Sequence, residues 1–162
     1  LRVCHQFIDH FGEKFQNLLF YGSVGVGKTF LSTCIAREIM DREFSVLYFS
    51  APQLFSALTQ NKFDRNDIDA KNMSDCIFHC DLLIIDDLGT EMTTQFTVSA
   101  LYQIVNGRLL SGKPTIVSTN LPDTELEARY SAQIASRLLG AYTLYQFCGT
   151  DVRLLRKMES RG

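Results

Sequence analysis

Gly22-Ser23-Val24-Gly25-Val26-Gly27-Lys28-Thr29 has the spacing G-x-x-x-x-G-K-[ST], and its neighbours on both sides set the architecture. Before it, residues 17–21 (NLLFY) form a short apolar run that predicts a buried strand. After it, residues 28–42 repeat Leu31, Ile35 and Ile39 at helical spacing. Strand, glycine-rich turn and helix in that order form a cradle for phosphate: the glycines let the backbone bend tightly, and amide N–H groups at the helix start point at negative charge. Lys28 adds a mobile cation and Thr29 a hydroxyl suited to Mg²⁺. Ser23, Val24, Gly25 and Val26 complete the loop between Gly22 and Gly27, and the ligand implied is ATP with Mg²⁺.

Working along the chain, strands and helices alternate. Residues 45–50 (SVLYFS) are a second strand, followed past Pro52 by a helix near residues 53–60 and a polar excursion up to Ser74. Residues 81–86 (DLLIID) are almost wholly apolar, as a central parallel strand covered on both faces must be. Residues 94–110 are helical in pattern, 114–119 (PTIVST) a strand, 123–129 and 131–139 short helices, 142–147 a last strand and 151–158 a terminal helix. Ahead of all this, Val3, Phe7, Phe11 and Phe15 recur every four positions and predict an amphipathic helix over residues 2–15. Five strands joined by long crossovers give an α/β fold, three layers with a mainly parallel five-stranded sheet.

The 162 residues fit one domain, with 46% hydrophobic and 21% charged residues, an ordinary globular make-up. Residues 1–16 read as the N-terminal helix, 17–153 as the core and 154–162 as a tail; the chain lacks an initiator Met and is expected to be a fragment of a longer protein. A formal charge of −2 excludes a bulk electrostatic grip on nucleic acid or anionic lipid, so DNA contact requires a local basic patch. No apolar run reaches membrane-spanning length, and a soluble, cytoplasmic protein with reduced cysteines is expected. Cys76, His79 and Cys80 have metal-like spacing without a second ligand pair, which favours ordinary helix residues.

Ligands of parallel sheets gather at the carboxyl ends of the strands, so residues 82–85 should carry Asp86 and Asp87 to the phosphate loop. Asp86 is then the candidate for holding Mg²⁺ through water, and Asp87 for orienting or deprotonating the attacking water. Glu91 lies near the same edge, either serving it or starting the next helix.

Leu82 to Asp87 resembles a Walker B motif. Asn120, closing Ser118-Thr119-Asn120, resembles the sensor 1 residue of AAA+ proteins. Arg137, within Gln133-Ile134-Ala135-Ser136-Arg137-Leu138, resembles the arginine finger of AAA+ initiators and helicase loaders, and Arg153, in Asp151-Val152-Arg153, their sensor 2 arginine. With Asp86-Asp87-Leu88-Gly89, this ordered set resembles the DnaC, DnaI and IstB family of helicase loaders and transposition helpers. The resemblance implies a strand order of 5-1-4-3-2, ATP hydrolysis with Asp87, Asn120, Arg137 and Arg153 in the machinery, ATP-dependent self-association into a ring or spiral, and single-stranded DNA bound within it. A helicase loader in DNA replication, partnered by the replicative helicase, is the function implied. The alternatives are a transposition helper partnered by a transposase, a small nucleotide kinase, against which the late arginine cluster speaks, and a nucleotide-gated binding module that scarcely turns over. Lys62 and Phe63, a cation beside an aromatic ring, are the candidate DNA contacts. Two departures stand out: Asp87 replaces the usual Glu, and Gln133 stands where several relatives carry a basic residue.

Overall fold

A computed structural model describes residues 2–63, 68–149 and 151, and the side chains of residues 3 and 61–71 lie outside the described residues. The elements are α1 (Arg2–Asp9), β1 (Leu18–Gly22), α2 (Lys28–Asp41), β2 (Val46–Ser50), α3 (Ala51–Phe63), α4 (Ile68–His79), β3 (Leu82–Leu88), α5 (Gln95–Leu110), β4 (Thr115–Thr119), α6 (Asp123–Tyr130), α7 (Ala132–Ala141) and β5 (Thr143–Phe147). All strand pairs are parallel, in the order β2-β3-β4-β1-β5, which is the expected order 5-1-4-3-2 read from the other edge.

Alternation along the strands sorts the core into two layers. Leu18, Phe20, Leu82, Ile84 and Ile116 face α1 and α2, packing with Cys4, Phe7, Ile35 and Ile39. Leu19, Leu83, Ile85 and Val117 face the other way, onto Leu54 and Phe55 of α3, Ile77 of α4, Leu101 and Val105 of α5, and Ile134 and Leu138 of α7. Each fully buried Leu or Ile contributes about 1.5–3 kcal/mol, so β3, buried on both faces, anchors the sheet.

Three sequence expectations are corrected. The first helix stops at Asp9 instead of reaching Phe15, because Gly12 at φ 88 turns the chain back; Phe11 still packs edge-on against Phe44, while Phe15 is left exposed. The polar stretch up to Ser74, expected as a surface excursion, is helical from Ile68: α4 extends to His79 with Ile77 buried in the core, and Asp69, Lys71 and Asp75 dilute the apolar period along the sequence. Strand β3 runs two residues past Asp86, through an irregularity in its pairing with β4 between Ile85 and Leu88. The expected terminal helix falls beyond Asp151, outside the described residues.

Candidate active site

Three adjacent strands, β3, β4 and β1, end at one edge and deliver the candidate residues there. β1 runs into Gly22 (φ 135), and the loop turns through Gly25 (φ 75) and Gly27 (φ 100), positions where a Cβ would strain the backbone. A Cβ on Gly22 would overlap the Phe147 carbonyl oxygen of β5, and one on Gly25 would overlap the Asp151 carboxylate, while Gly27 faces open space. Gly27 precedes α2 without a side-chain cap, so the loop presents the bare amide end of a 14-residue helix. This is an anion cradle, and ATP phosphates fit it.

Lys28 is buried and folded back over the loop. Its ammonium donates to the Gly22 carbonyl at 2.6 Å, the Ser23 carbonyl at 2.6 Å and Asn120 Oδ1 at 2.5 Å. Burial pulls its pKa below the ordinary lysine value, and the negative charges of Asp87 and Asp86 work against that shift. Thr29, the next residue, is exposed at the start of α2. Val24 and Phe30 flank the cradle with apolar side chains that are 55% and 75% exposed.

Asp86 is buried, two residues beyond Ile84 and therefore on the α2 face of the sheet. Ser118 Oγ donates a short hydrogen bond to its Oδ1, and Tyr48 Oη donates to its Oδ2 at 2.9 Å. Burial first, then the bond to Asp86, pushes the Tyr48 phenol well above its usual pKa, so it remains a donor. A carboxylate oriented by two hydroxyls retains lone pairs for metal-bound water, so the donor set fits Mg²⁺ held by Asp86 and Thr29.

Asp87 adopts φ 56, left-handed backbone that a non-glycine residue rarely takes. Its N–H donates to Ser118 Oγ at 2.9 Å, and its carbonyl accepts from Thr90 N at 3.2 Å and Thr90 Oγ1 at 2.8 Å. Ser118 therefore bridges the acidic pair, accepting from one residue and donating to the other.

Arg137 is held at a different place. On α7 it donates to Asn106 Oδ1 at 2.8 Å and to Tyr102 Oη at 3.3 Å, and its guanidinium stacks 5.1 Å from the Tyr102 ring centre. Arg153 lies outside the described residues, as do the side chains of Lys62 and Phe63, which end α3. Cys76 and His79 are on α4, and Cys80 is buried next to Arg108; among the described residues no group of three or more metal-ligating side chains forms. No described helix is long and apolar enough to cross a membrane.

Sequence reasoning missed Tyr48 and the bridging role of Ser118. The signal was weak: a tyrosine in a strand reads as β-propensity, and a serine before Thr119-Asn120 reads as part of a turn.

Over 138 residues the chain is 25% identical to the replicative helicase loader DnaC of Escherichia coli (strain K12), covering 85% of this chain and 56% of the relative. Over 128 residues it is 28% identical to the replicative helicase loader DnaI of Bacillus subtilis (strain 168), covering 77% of this chain and 40% of the relative. The fold matches that of a replication initiator, DnaA bound to AMPPCP and single-stranded DNA, with a TM-score of 0.81 at 21% identity, covering 99% of this chain and 50% of that one. The chain thus spans about half the length of the curated relatives it matches. Residues 6–144 match the family of IstB-like ATP binding proteins, and with 139 residues in that span the chain belongs to this family.

Proposed function

We propose that the chain is the ATP-hydrolysing part of a helicase loader acting in DNA replication. The observation that carries this reading is the convergence of the Lys28 ammonium, the Asn120 amide and the Asp86–Asp87 pair at the ends of three neighbouring strands. Lys28 and the amides of the loop would hold the phosphates of ATP. Thr29 and Asp86 would hold Mg²⁺, which when bound supplies Lewis-acid stabilisation of phosphate charge. Asp87, fixed by its backbone and poised beyond Asp86, would orient the attacking water or accept its proton, and Asn120 would align that water from β4. Arg137 would act on the nucleotide of a neighbouring copy, and Arg153 on its own, which requires self-association into a ring or spiral.

The similarity to DnaC and DnaI supports the loader role, with the replicative helicase as partner. The similarity to a DnaA bound to single-stranded DNA supports DNA as a ligand, with Lys62 and Phe63 as its contacts. A second reading, a transposition helper partnered by a transposase, is favoured by the IstB-like family match. ATP turnover by the full-length protein, measured with and without single-stranded DNA, tests the proposal. DNA-stimulated hydrolysis is expected, and an absence of hydrolysis under both conditions overturns it. A transposase gene adjoining this one would favour the second reading.

A further inference from the structure

Glu91 is the one buried acidic residue besides Asp86 among the described residues, and the proposed mechanism gives it no role. It is not a helix-start residue: α5 begins after Thr94, whose hydroxyl accepts from Thr97 N in a capping box. Instead its side chain turns inward. Oε2 accepts from the Gly89 N–H at 2.9 Å, and Oε1 accepts a short hydrogen bond from the Tyr130 hydroxyl. Tyr130 is buried at the last position of α6, and burial followed by the bond to Glu91 holds its phenol protonated.

A second pair of bonds lies alongside. Arg129 Nη2 donates to the Glu91 carbonyl at 3.3 Å, and its Nε donates to Thr93 Oγ1 at 2.7 Å. The loop thus clasped leaves the end of β3 just after Asp87 and Leu88 and contains Gly89 at φ 107, where Leu121 packs so closely that a Cβ would collide with it. On the far side, Tyr130 is followed by Ser131 at φ 106 and then by α7, which carries Arg137. A buried carboxylate is costly unless its acceptors are filled, so the clasp either stays closed or exposes Glu91 to water.

We infer that Glu91 is a positioning residue that fastens the Asp87 loop to the junction of α6 and α7, so that the loop and the helix bearing Arg137 move as one unit. The consequence for turnover rests on the ATPase reading above. The mechanical link does not.

The full chain is examined by amide hydrogen exchange with and without a non-hydrolysable ATP analogue, following peptides over residues 87–93 and 129–139. In the wild type the analogue slows exchange in both. In Glu91→Gln, which preserves side-chain volume, and in Tyr130→Phe, analogue affinity stays within about threefold of wild type while protection is confined to 87–93. Turnover falls at least about tenfold at unchanged KM, and the double variant is no worse than the worse single one, as expected for two ends of one bond. Continued protection of both peptides in either folded variant, or no analogue-dependent protection of 129–139 in the wild type, overturns the inference. Should the wild type bind the analogue yet hydrolyse no ATP, the ATPase reading fails and the exchange measurement still decides the link.

Discussion

The Lys28 ammonium and the Asn120 side-chain oxygen, 92 positions apart in sequence, meet at 2.5 Å. The contact joins the phosphate loop to the end of β4, so on the proposed function the cation that would receive phosphate already rests on the residue that would sense it. Both Lys28 carbonyl partners, Gly22 and Ser23, are also neutral, which leaves the ammonium to be drawn by stronger acceptors.

Lys28→Ala is therefore expected to weaken ATP binding about 10- to 150-fold, the equivalent of the roughly 1.5–3 kcal/mol that one charged hydrogen bond contributes. The pH dependence has a defined sign. Burial lowers the Lys28 pKa, so the ammonium deprotonates in the folded protein before an ordinary lysine would. Affinity should be full below that lowered pKa and fall as pH rises through it. Stability moves oppositely: between the lowered and ordinary values the unfolded chain binds more protons, so the burial penalty on the ammonium is relieved as pH rises. Titrating a fluorescent ATP analogue at rising pH, up to the ordinary lysine range at about pH 10, measures the first effect. A flat affinity over that range in a protein that stays folded would contradict the assignment.

Asp87→Asn should leave nucleotide affinity within about threefold while reducing turnover at least about 100-fold, since a positioned general base contributes at that scale. Tyr48→Phe removes a single donor from Asp86 Oδ2, and its expected signature is different: a Mg²⁺ midpoint raised about 2- to 12-fold, matching roughly 0.5–1.5 kcal/mol for one hydrogen bond. Steady-state hydrolysis against ATP and against Mg²⁺ separates the two. Wild-type turnover in Asp87→Asn would remove Asp87 from the catalytic step.

The phosphate loop was legible because its chemistry requires glycine, Lys and Thr at fixed spacing, and β3 because burial on both faces forces a continuous apolar run. What the sequence hid are contacts made by residues with innocent local readings. Tyr48 looks like a strand former, Glu91 like a helix start and Ser118 like a turn, and only the packing of β2, β4 and α6 around β3 brings their polar ends to Asp86 and to the Asp87 loop. The first turns of α4 were hidden for a related reason: the helix's charged and polar residues dilute the apolar period to a few buried positions such as Ile77. Arg108 is the extreme instance, since a charged residue in the last turn of a helix reads as solvated.

Arg108 is fully buried, and its hydrogen bonds run to carbonyls, a hydroxyl and the Cys80 sulfur. Its guanidinium donates to Thr115 Oγ1 at 3.0 Å, to the Ile77 carbonyl at 2.7 Å, to the Cys80 carbonyl at 3.1 Å and to the Pro114 carbonyl at 2.7 Å, tying α4, α5 and the start of β4 together. Truncation leaves several buried acceptors unfilled and a cavity the size of the side chain. Arg108→Ala should cost about 3–5 kcal/mol of stability, and Arg108→Lys should recover little, because a single ammonium cannot span a planar fork of acceptors. Urea unfolding reads this as a lowered midpoint at unchanged slope. A loss below about 1 kcal/mol for Arg108→Ala would show that water replaces the guanidinium at little cost.

Arg137 is the remaining case, because the chain holds it on its own α5 and away from the residues gathered around Lys28. The stacking on Tyr102 and the bond to Asn106 keep the guanidinium half-buried and oriented. An arginine that acts on a neighbouring copy must be dispensable for nucleotide binding in one chain and needed for hydrolysis between chains. Arg137→Ala should therefore bind an ATP analogue within about threefold of wild type, yet lose about 10³-fold or more in assembled turnover. Mixing supplies the decisive arm. In assemblies of Arg137→Ala with Lys28→Ala subunits, some interfaces pair an intact loop from the first with an intact arginine from the second, so activity should return above that of either variant alone. Co-assembly is verified by light scattering before the rates are compared. If the mixture co-assembles and stays as inactive as its components, Arg137 works within its own chain, and its contacts with Tyr102 and Asn106 are its whole role.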